Sequence, residues 1–308
     1  MLGKYYTNIG IKDFIKRYGI RNALIRGAFT KFKLHIVPNY EMRKVLWQEK
    51  VAKKLRKYIS DDKEYEREIK YNDSVCVNNP IWIYWNSGME SAPLIVQGCY
   101  KSIVKHAEQE VIVLTDENID KYVKLPVWMS KKVKRGNLTL AHYTDVIRLA
   151  LLYRYGGTWI DATVYLSSPL QTEIMDSDFF ALRNSFCLLD NPALYAVWFL
   201  HAKPNNAIVK KTLNASLAYW SYENHVREYL ITNLLLTMII HITDFDSEIL
   251  YYNTDYSEYL VKIIGDEYSA TKAMWIKSLT NIHKLSYKLD SNVNRDNSFY
   301  RHLVEDNF

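Results

Sequence analysis

The sequence predicts an α/β protein, a mostly parallel sheet flanked by helices. Short apolar runs of strand length at residues 81–85, 111–114 and 158–160 alternate with helical periodicity at 93–107 and 142–155, the pattern of β-α-β units. The run at 111–114, Val-Ile-Val-Leu, is apolar throughout, as a strand covered on both faces must be. Gly156-Gly157 separates the longest helical segment from its strand, and glycine ends a helix in the left-handed conformation without steric cost.

Residues 1–70 read as mostly helical and strongly basic. Ile11, Phe14, Ile15 and Tyr18 fall at helical spacing beside Lys12, Lys16, Arg17 and Arg21. A second helix over about 40–59 turns Val45, Leu46, Val51, Ala52 and Leu55 inward and Lys50, Lys53, Lys54, Arg56 and Lys57 outward. Residues 1–57 hold 15 Lys and Arg against 3 Asp and Glu, a net of +12, so the remainder carries −6 of the total of +6. Such a segment suits an anionic membrane surface, and equally a helical hairpin packed on the domain with its charged face in water. Nucleic acid also requires a basic surface, but no nucleic-acid-binding motif is present and no such partner is expected.

Residues 61–68 make an acidic link, and Asn78-Asn79-Pro80 punctuates the chain. The strand at 81–85, the helix at 93–107 and the strand at 111–114 then form a β-α-β unit with a right-handed crossover. Ligands of open α/β sheets bind beyond the carboxyl ends of the strands. Trp85-Asn86-Ser87-Gly88 and Thr115-Asp116-Glu117 should therefore share a rim with Asp161. Residues 121–136 look irregular, with a solvated basic run at 131–135. Strands at 178–182 and 194–200, helices at 206–220 and 225–242, and a last helix over 271–285 complete the domain. Residues 290–308 read as a loose polar tail.

The chain is organised around residues 142–169, in which His142, Asp145, Arg148, Leu149 and Leu152 share one helical stripe. Asp161 follows at the end of the next strand. One carboxylate fixed there can anchor a hard divalent cation, which completes its shell with phosphate oxygens. Asp145 can accept from a ribose hydroxyl, and Arg148 can pair with Asp145 or with a ligand oxygen. The same residues also suit a plain i,i+3 surface pair and a turn cap.

The block H-x-x-D-x-x-R-x-x-L-L-x-x-Y-G-G-T-W-I-D-A-T-V resembles the capsular polysaccharide synthesis proteins, within the wider group of DXD-motif sugar transferases similar to glycosyltransferase family 32. The resemblance extends to residues 81–88, to Ala92-Pro93-Leu94 and to residues 283–288, spanning roughly 78–290. It implies a GT-A-like, Rossmann-like domain at 76–290, between a basic helical arm at 1–75 and a polar tail at 291–308. It implies a hexosyltransferase, moving galactose or glucose from a UDP-sugar to a lipid-linked saccharide of capsule or exopolysaccharide with retention. Asp161, Asp145 and Arg148 are then the catalytic group. Trp82, Trp85, Asn86, Gly88, His142, Gly157, Ala162 and Lys284 join Asp145 and Arg148 in binding donor. Trp82 and Trp85, three apart in a strand, face opposite ways, so one can be core and the other can line the pocket; two core tryptophans are the alternative. Mn²⁺ or Mg²⁺ would be held by Asp161, Thr163 and His283, with His225 the other histidine to weigh. The departure from the motif is Thr163, a threonine at the second acidic position.

The composition, 48% hydrophobic and 24% charged, is globular. Cys76, Cys99 and Cys187 have neither paired nor metal-ligand spacing, which fits a reducing compartment. The first residues form no apolar signal core, and the best apolar run, 230–242, is short of the roughly 20 residues a membrane span requires. The expected location is cytoplasmic, peripheral at the inner face of the cell membrane. Two other readings stay open: a hydrolase or phosphotransferase using the same diphosphate site, and a non-catalytic membrane assembly factor, which Thr163 keeps open and which intact Asp145, Arg148 and Asp161 argue against.

Overall fold

The computed structural model describes residues 11–36, 39–61, 63–184 and 191–308; Cys187 lies outside them. In chain order come helices α1 (Ile11–Tyr18), α2 (Ile20–Ile36) and α3 (Tyr40–Ile59), and strands β1 (Lys70–Tyr71) and β2 (Ile81–Tyr84). Next are α4 (Leu94–His106), β3 (Val111–Leu114), β4 (Val123–Lys124), α5 (Val127–Lys134) and α6 (Leu140–Tyr155). They are followed by β5 (Gly157–Ile160), β6 (Val164–Leu166), α7 (Thr172–Asp176), β7 (Phe179–Arg183) and β8 (Tyr195–Ala202). The chain closes with α8 (Ala207–Tyr222), α9 (Ile231–Ile242), α10 (Thr254–Ser257), α11 (Tyr259–Lys262), α12 (Ala270–Leu279), β9 (Ile282–Lys284) and α13 (Phe299–Val304).

The α/β class expected from the sequence is the one observed. The central sheet runs β3-β2-β5-β8-β7. Strand β2 is parallel to both β3 and β5, while β8 is antiparallel to β5 and β7. In-register pairing of Tyr84 with Leu114, and of Trp82 with Trp159, brings the carboxyl ends of β2, β3 and β5 to one edge. Residues Trp85, Thr115 and Asp161 therefore do leave the sheet on a common rim.

Side chains alternate between two buried layers, as the strand period of two requires. Trp82, Ile112, Leu114, Trp159 and Leu200 face a core built with α6, α8 and α9. Ile81, Ile83, Ile160, Phe180 and Phe199 face a second core built with α4, α12 and α13. The basic segment contributes to the first layer: Trp47, Val51, Leu55 and Tyr58 of α3 are buried in it, and so is Tyr18 of α1. The opposite face of α3 leaves Lys50, Lys53, Lys54, Arg56 and Lys57 exposed, as the pattern predicted. Among the described residues, no helix is long and apolar enough to cross a membrane.

Gly156 and Gly157 are required by more than the helix stop. Gly156 has φ 66° and ψ −159°, an extended glycine-only conformation rather than the left-handed cap expected. Gly157 has φ 95°, and a Cβ there would meet the Pro80 carbonyl at 2.2 Å. The chain reverses between α6 and β5 because no side chain obstructs it.

Four expectations are corrected. Residues 121–136 contain β4 and the helix α5. The helix expected from 225 begins only at Ile231. The helix expected to run to 285 ends at Leu279, and Ile282–Lys284 is a strand paired with β6. The tail is tied down: α13 buries Phe299 and Leu303 completely, and aromatic burial on this scale outweighs the local polarity that suggested a loose end.

Candidate active site

Asp161 directly follows β5, and its backbone N–H donates to the Trp198 carbonyl of β8 at 2.9 Å. The Asp161-Ala162-Thr163 turn closes with the Val164 N–H donating to the Asp161 carbonyl at 2.9 Å. β6 then pairs with β9 in a register that sets Val164 opposite Lys284. This register carries the Lys284 ammonium to 2.8 Å from Asp161 Oδ2 and 2.8 Å from Thr163 Oγ1. The Trp198 ring lies 5.5 Å from the same nitrogen, within cation–π range.

The other Asp161 oxygen is also occupied. Oδ1 accepts from Arg148 Nη2 at 3.0 Å and from the Trp159 indole at 2.9 Å. The same Nη2 lies 3.3 Å from Asp145, and the Arg148 guanidinium also donates to the Val197 carbonyl. Asp145 in turn accepts from the Thr232 hydroxyl of α9 at 2.9 Å. Asp145, Arg148, Asp161 and Lys284 thus form one alternating chain of charge. Burial works to raise the Asp161 pKa, but Lys284 and Arg148, with the Lys284 and Trp159 hydrogen bonds, outweigh it and hold the carboxyl below its ordinary 3.8. The Arg148 side chain is only 5% exposed, against 20% for Lys284 and 28% for Asp161. Arg148 therefore works from behind Asp161, while Lys284 and Asp161 reach the rim.

The predicted site residues divide. Asp145, Arg148, Asp161, Thr163 and Lys284 come together. Trp85, Asn86 and Gly88 share their rim: Trp85 is half-buried, edge-on to Tyr287 at 5.3 Å, and the Asn86 carbonyl accepts from the Asp116 N–H at 3.0 Å. Trp82 does not line a pocket. It is fully buried, and its indole donates to the Gly156 carbonyl at 2.9 Å. His142 is buried against Trp220 and Tyr229, with its ring nitrogens at 2.6 Å from the Thr139 hydroxyl and 3.0 Å from the Tyr229 carbonyl. It locks the start of α6 and presents no donor to a ligand. Gly157 opens β5 at the amino end, about 13 Å from Asp161 at the usual strand rise. Ala162 is buried in the second core.

His283 is not beside the carboxylate. Neighbours in a strand point to opposite faces, so placing Lys284 at Asp161 sends His283 inward. It is fully buried, 3.0 Å from the Ser167 hydroxyl and edge-on to Phe308. His225 binds the Lys16 carbonyl at 3.1 Å and anchors α1. Among the described residues, no group of three His, Cys, Asp or Glu side chains is disposed to hold a metal ion. The residues present do not fit a divalent ion as they stand: Asp161 has both carboxylate oxygens engaged, by Lys284 on one side and by Arg148 and Trp159 on the other, and the Thr163 hydroxyl accepts from Lys284.

Sequence reasoning did not find Trp159, Trp198 and Thr232. The alternation of β5 could have offered Trp159, but the other two reach the site only through the packing of β8 and α9.

The fold and this cluster define an α/β protein whose charged site lies beyond the carboxyl ends of parallel strands. The chain belongs to the capsular polysaccharide synthesis protein family, whose model matches residues 29–303. It is 24% identical over 184 residues, 54% of its length, to a protein named O-glycosyltransferase braB from Annulohypoxylon truncatum, of which it spans 44%. A solved structure named PaToxG Glycosyltransferase aligns with 68% of this chain and 82% of its own, at 13% identity and a TM-score of 0.39.

Proposed function

We propose that this chain is a glycosyltransferase of capsular or exopolysaccharide synthesis. It moves a hexose, galactose or glucose, from a UDP-sugar to a hydroxyl of a lipid-linked saccharide. The observation that carries this reading is the Asp161–Lys284 pair at the common rim of β2, β3 and β5, with a cation partly open to a ligand beside a fixed carboxylate. The family and the name of the relative support it.

In this reading Trp85, Asn86 and Gly88 receive the uridine, and an aromatic face there contributes about 1–3 kcal/mol by stacking. Lys284 meets the diphosphate. The bond from the anomeric carbon to the β-phosphate oxygen breaks with its electron pair on that oxygen. The acceptor oxygen bonds to the anomeric carbon, and its proton passes to the departing diphosphate. Fixed cations aimed at the leaving group stabilise the charge that develops there. Retention at the anomeric carbon follows from the family resemblance. The basic face of α3 supports a position at the inner surface of the cell membrane, where the acceptor of this reading is anchored.

The test is a panel of nucleotide sugars incubated with the full chain and a lipid-linked saccharide acceptor, read by mass spectrometry. Acceptor-dependent addition of one hexose from a UDP-sugar is expected. Sugar release that ignores the acceptor would make the protein a hydrolase. No turnover and no nucleotide binding would leave the assembly-factor reading.

A further inference from the structure

We infer that the Lys284 ammonium takes the place of the divalent ion in this site, so that the chain binds a nucleoside diphosphate without metal. The inference rests on the nucleotide-sugar reading above and deepens it.

Asp161 is arranged to hold a cation that the chain itself supplies. Its Oδ2 and the Thr163 hydroxyl both lie 2.8 Å from Lys284 Nζ, so the two ends of the Asp-Ala-Thr turn grip one ammonium. Threonine suits that grip, because a hydroxyl accepts a hydrogen bond without adding negative charge. The position of Lys284 is set by backbone: Val164 pairs with it across β6 and β9, and the Leu285 N–H donates to the Thr163 carbonyl at 2.8 Å. The aromatic ring of Trp198 supports the same cation. An ion on Asp161 Oδ2 would have to expel the ammonium, and Arg148 and Trp159 already engage Oδ1.

The arrangement also leaves a donor for the ligand. An ammonium has three N–H bonds, and Asp161 and Thr163 take two. The cluster of two carboxylates and two cations is neutral before a ligand arrives. The third N–H can then make a charge-assisted bond to a phosphate oxygen. Asp161 becomes the positioning residue for Lys284.

The experiment is calorimetric titration of the full chain with UDP, UMP and uridine, in EDTA and again in Mn²⁺. The parent is expected to bind UDP equally, within about twofold, in both conditions. Lys284→Met should weaken UDP binding tenfold or more while leaving uridine binding unchanged. Should that variant misfold because Asp161 is left unpaired, Lys284→Met with Asp161→Asn removes both charges and must show the same selective loss. UDP binding that appears only with Mn²⁺ overturns the inference and leaves the transferase reading in place. UDP binding in neither condition overturns the nucleotide-sugar reading itself, and this inference with it.

Discussion

Arg148 and Asp161 meet at 3.0 Å, 13 residues apart, because the glycine pair folds β5 back along α6. Arg148 lies seven residues before the end of α6, about 10 Å along a helix. Asp161 lies four residues past the start of β5, about 13 Å along a strand. The two paths bring guanidinium and carboxylate to the same level. Arg148 also spans Asp145, the Val197 carbonyl and the Trp159 ring, 4.9 Å away.

Arg148→Met should therefore be strongly destabilising. It leaves Asp145 and Asp161 without their shared cation, and breaking a buried pair from one side costs about 3–5 kcal/mol. Arg148→Lys should recover little, since a compact ammonium lacks the planar, pre-organised fork with which the guanidinium reaches both carboxylates and the Val197 carbonyl. Urea unfolding of the three proteins measures this. A midpoint for Arg148→Met equal to the parent's would show that the charge chain is decorative.

Asp161→Asn should abolish turnover and should change the pH dependence of stability. The Asp161 carboxyl is held below its ordinary 3.8 in the fold. Its contribution is therefore fully present above about pH 4 and is lost as pH falls through the lower folded value. The gap in unfolding free energy between parent and Asn variant should be widest at pH 6 and shrink below about pH 4. A gap independent of pH would remove the ion-pair account.

How much of this was legible in the sequence depends on element length. The helix at 142–155 and the strands beside it carried enough periodicity to place Asp145, Arg148 and Asp161 correctly. β9 has three residues and follows a helix after a two-residue gap, too short to show a period of two. His283 and Lys284 consequently read as helix, where both could reach the site; in a strand only one can. Thr232 and Trp198 were invisible for another reason, since their contacts join elements far apart in sequence. His142 showed an ionisable group on the right stripe but not the Trp220 and Tyr229 rings that enclose it.

The burial of His283 predicts an acid sensitivity of its own. Burial, with Lys277 adding to it, pushes its pKa from 6.5 down to about 3. Burial likewise pushes His201 down to about 4. Below about pH 6.5 the unfolded chain takes up protons that the fold refuses, so stability falls with pH, by up to about 1.4 kcal/mol per unit for each histidine. His283→Gln should flatten that slope between pH 6 and 5 while changing UDP affinity less than twofold. An unchanged slope, measured by urea unfolding across that range, would mean that His283 does not titrate with folding.

The basic arm leads to the last prediction. α2 leaves Ile20 65% and Leu24 69% exposed, two apolar side chains four residues apart and so neighbours on one face of the helix. α3 spends its apolar face on the core, through Trp47, Val51 and Leu55, and its outer cations stay exposed even where they have a local partner, Lys53 at Glu49, Lys50 over Phe29 and Lys57 over Tyr58. An anionic bilayer matches both features: charge draws the arm in, and exposed apolar groups then insert at the headgroup boundary. Each basic residue near such a surface contributes about 1 kcal/mol. Replacing Lys53, Lys54 and Arg56 with Gln should therefore weaken vesicle binding by about 3 kcal/mol, roughly a hundredfold. The parent should co-sediment with phosphatidylglycerol vesicles, and should detach at about 1 M salt, where the Debye length shrinks to about 3 Å. Leu24→Gln should weaken the bound state at low salt without altering that salt dependence. Equal sedimentation with neutral phosphatidylcholine vesicles, or an undiminished triple variant, would remove the electrostatic account and leave α3 as a packed helix with a solvated face.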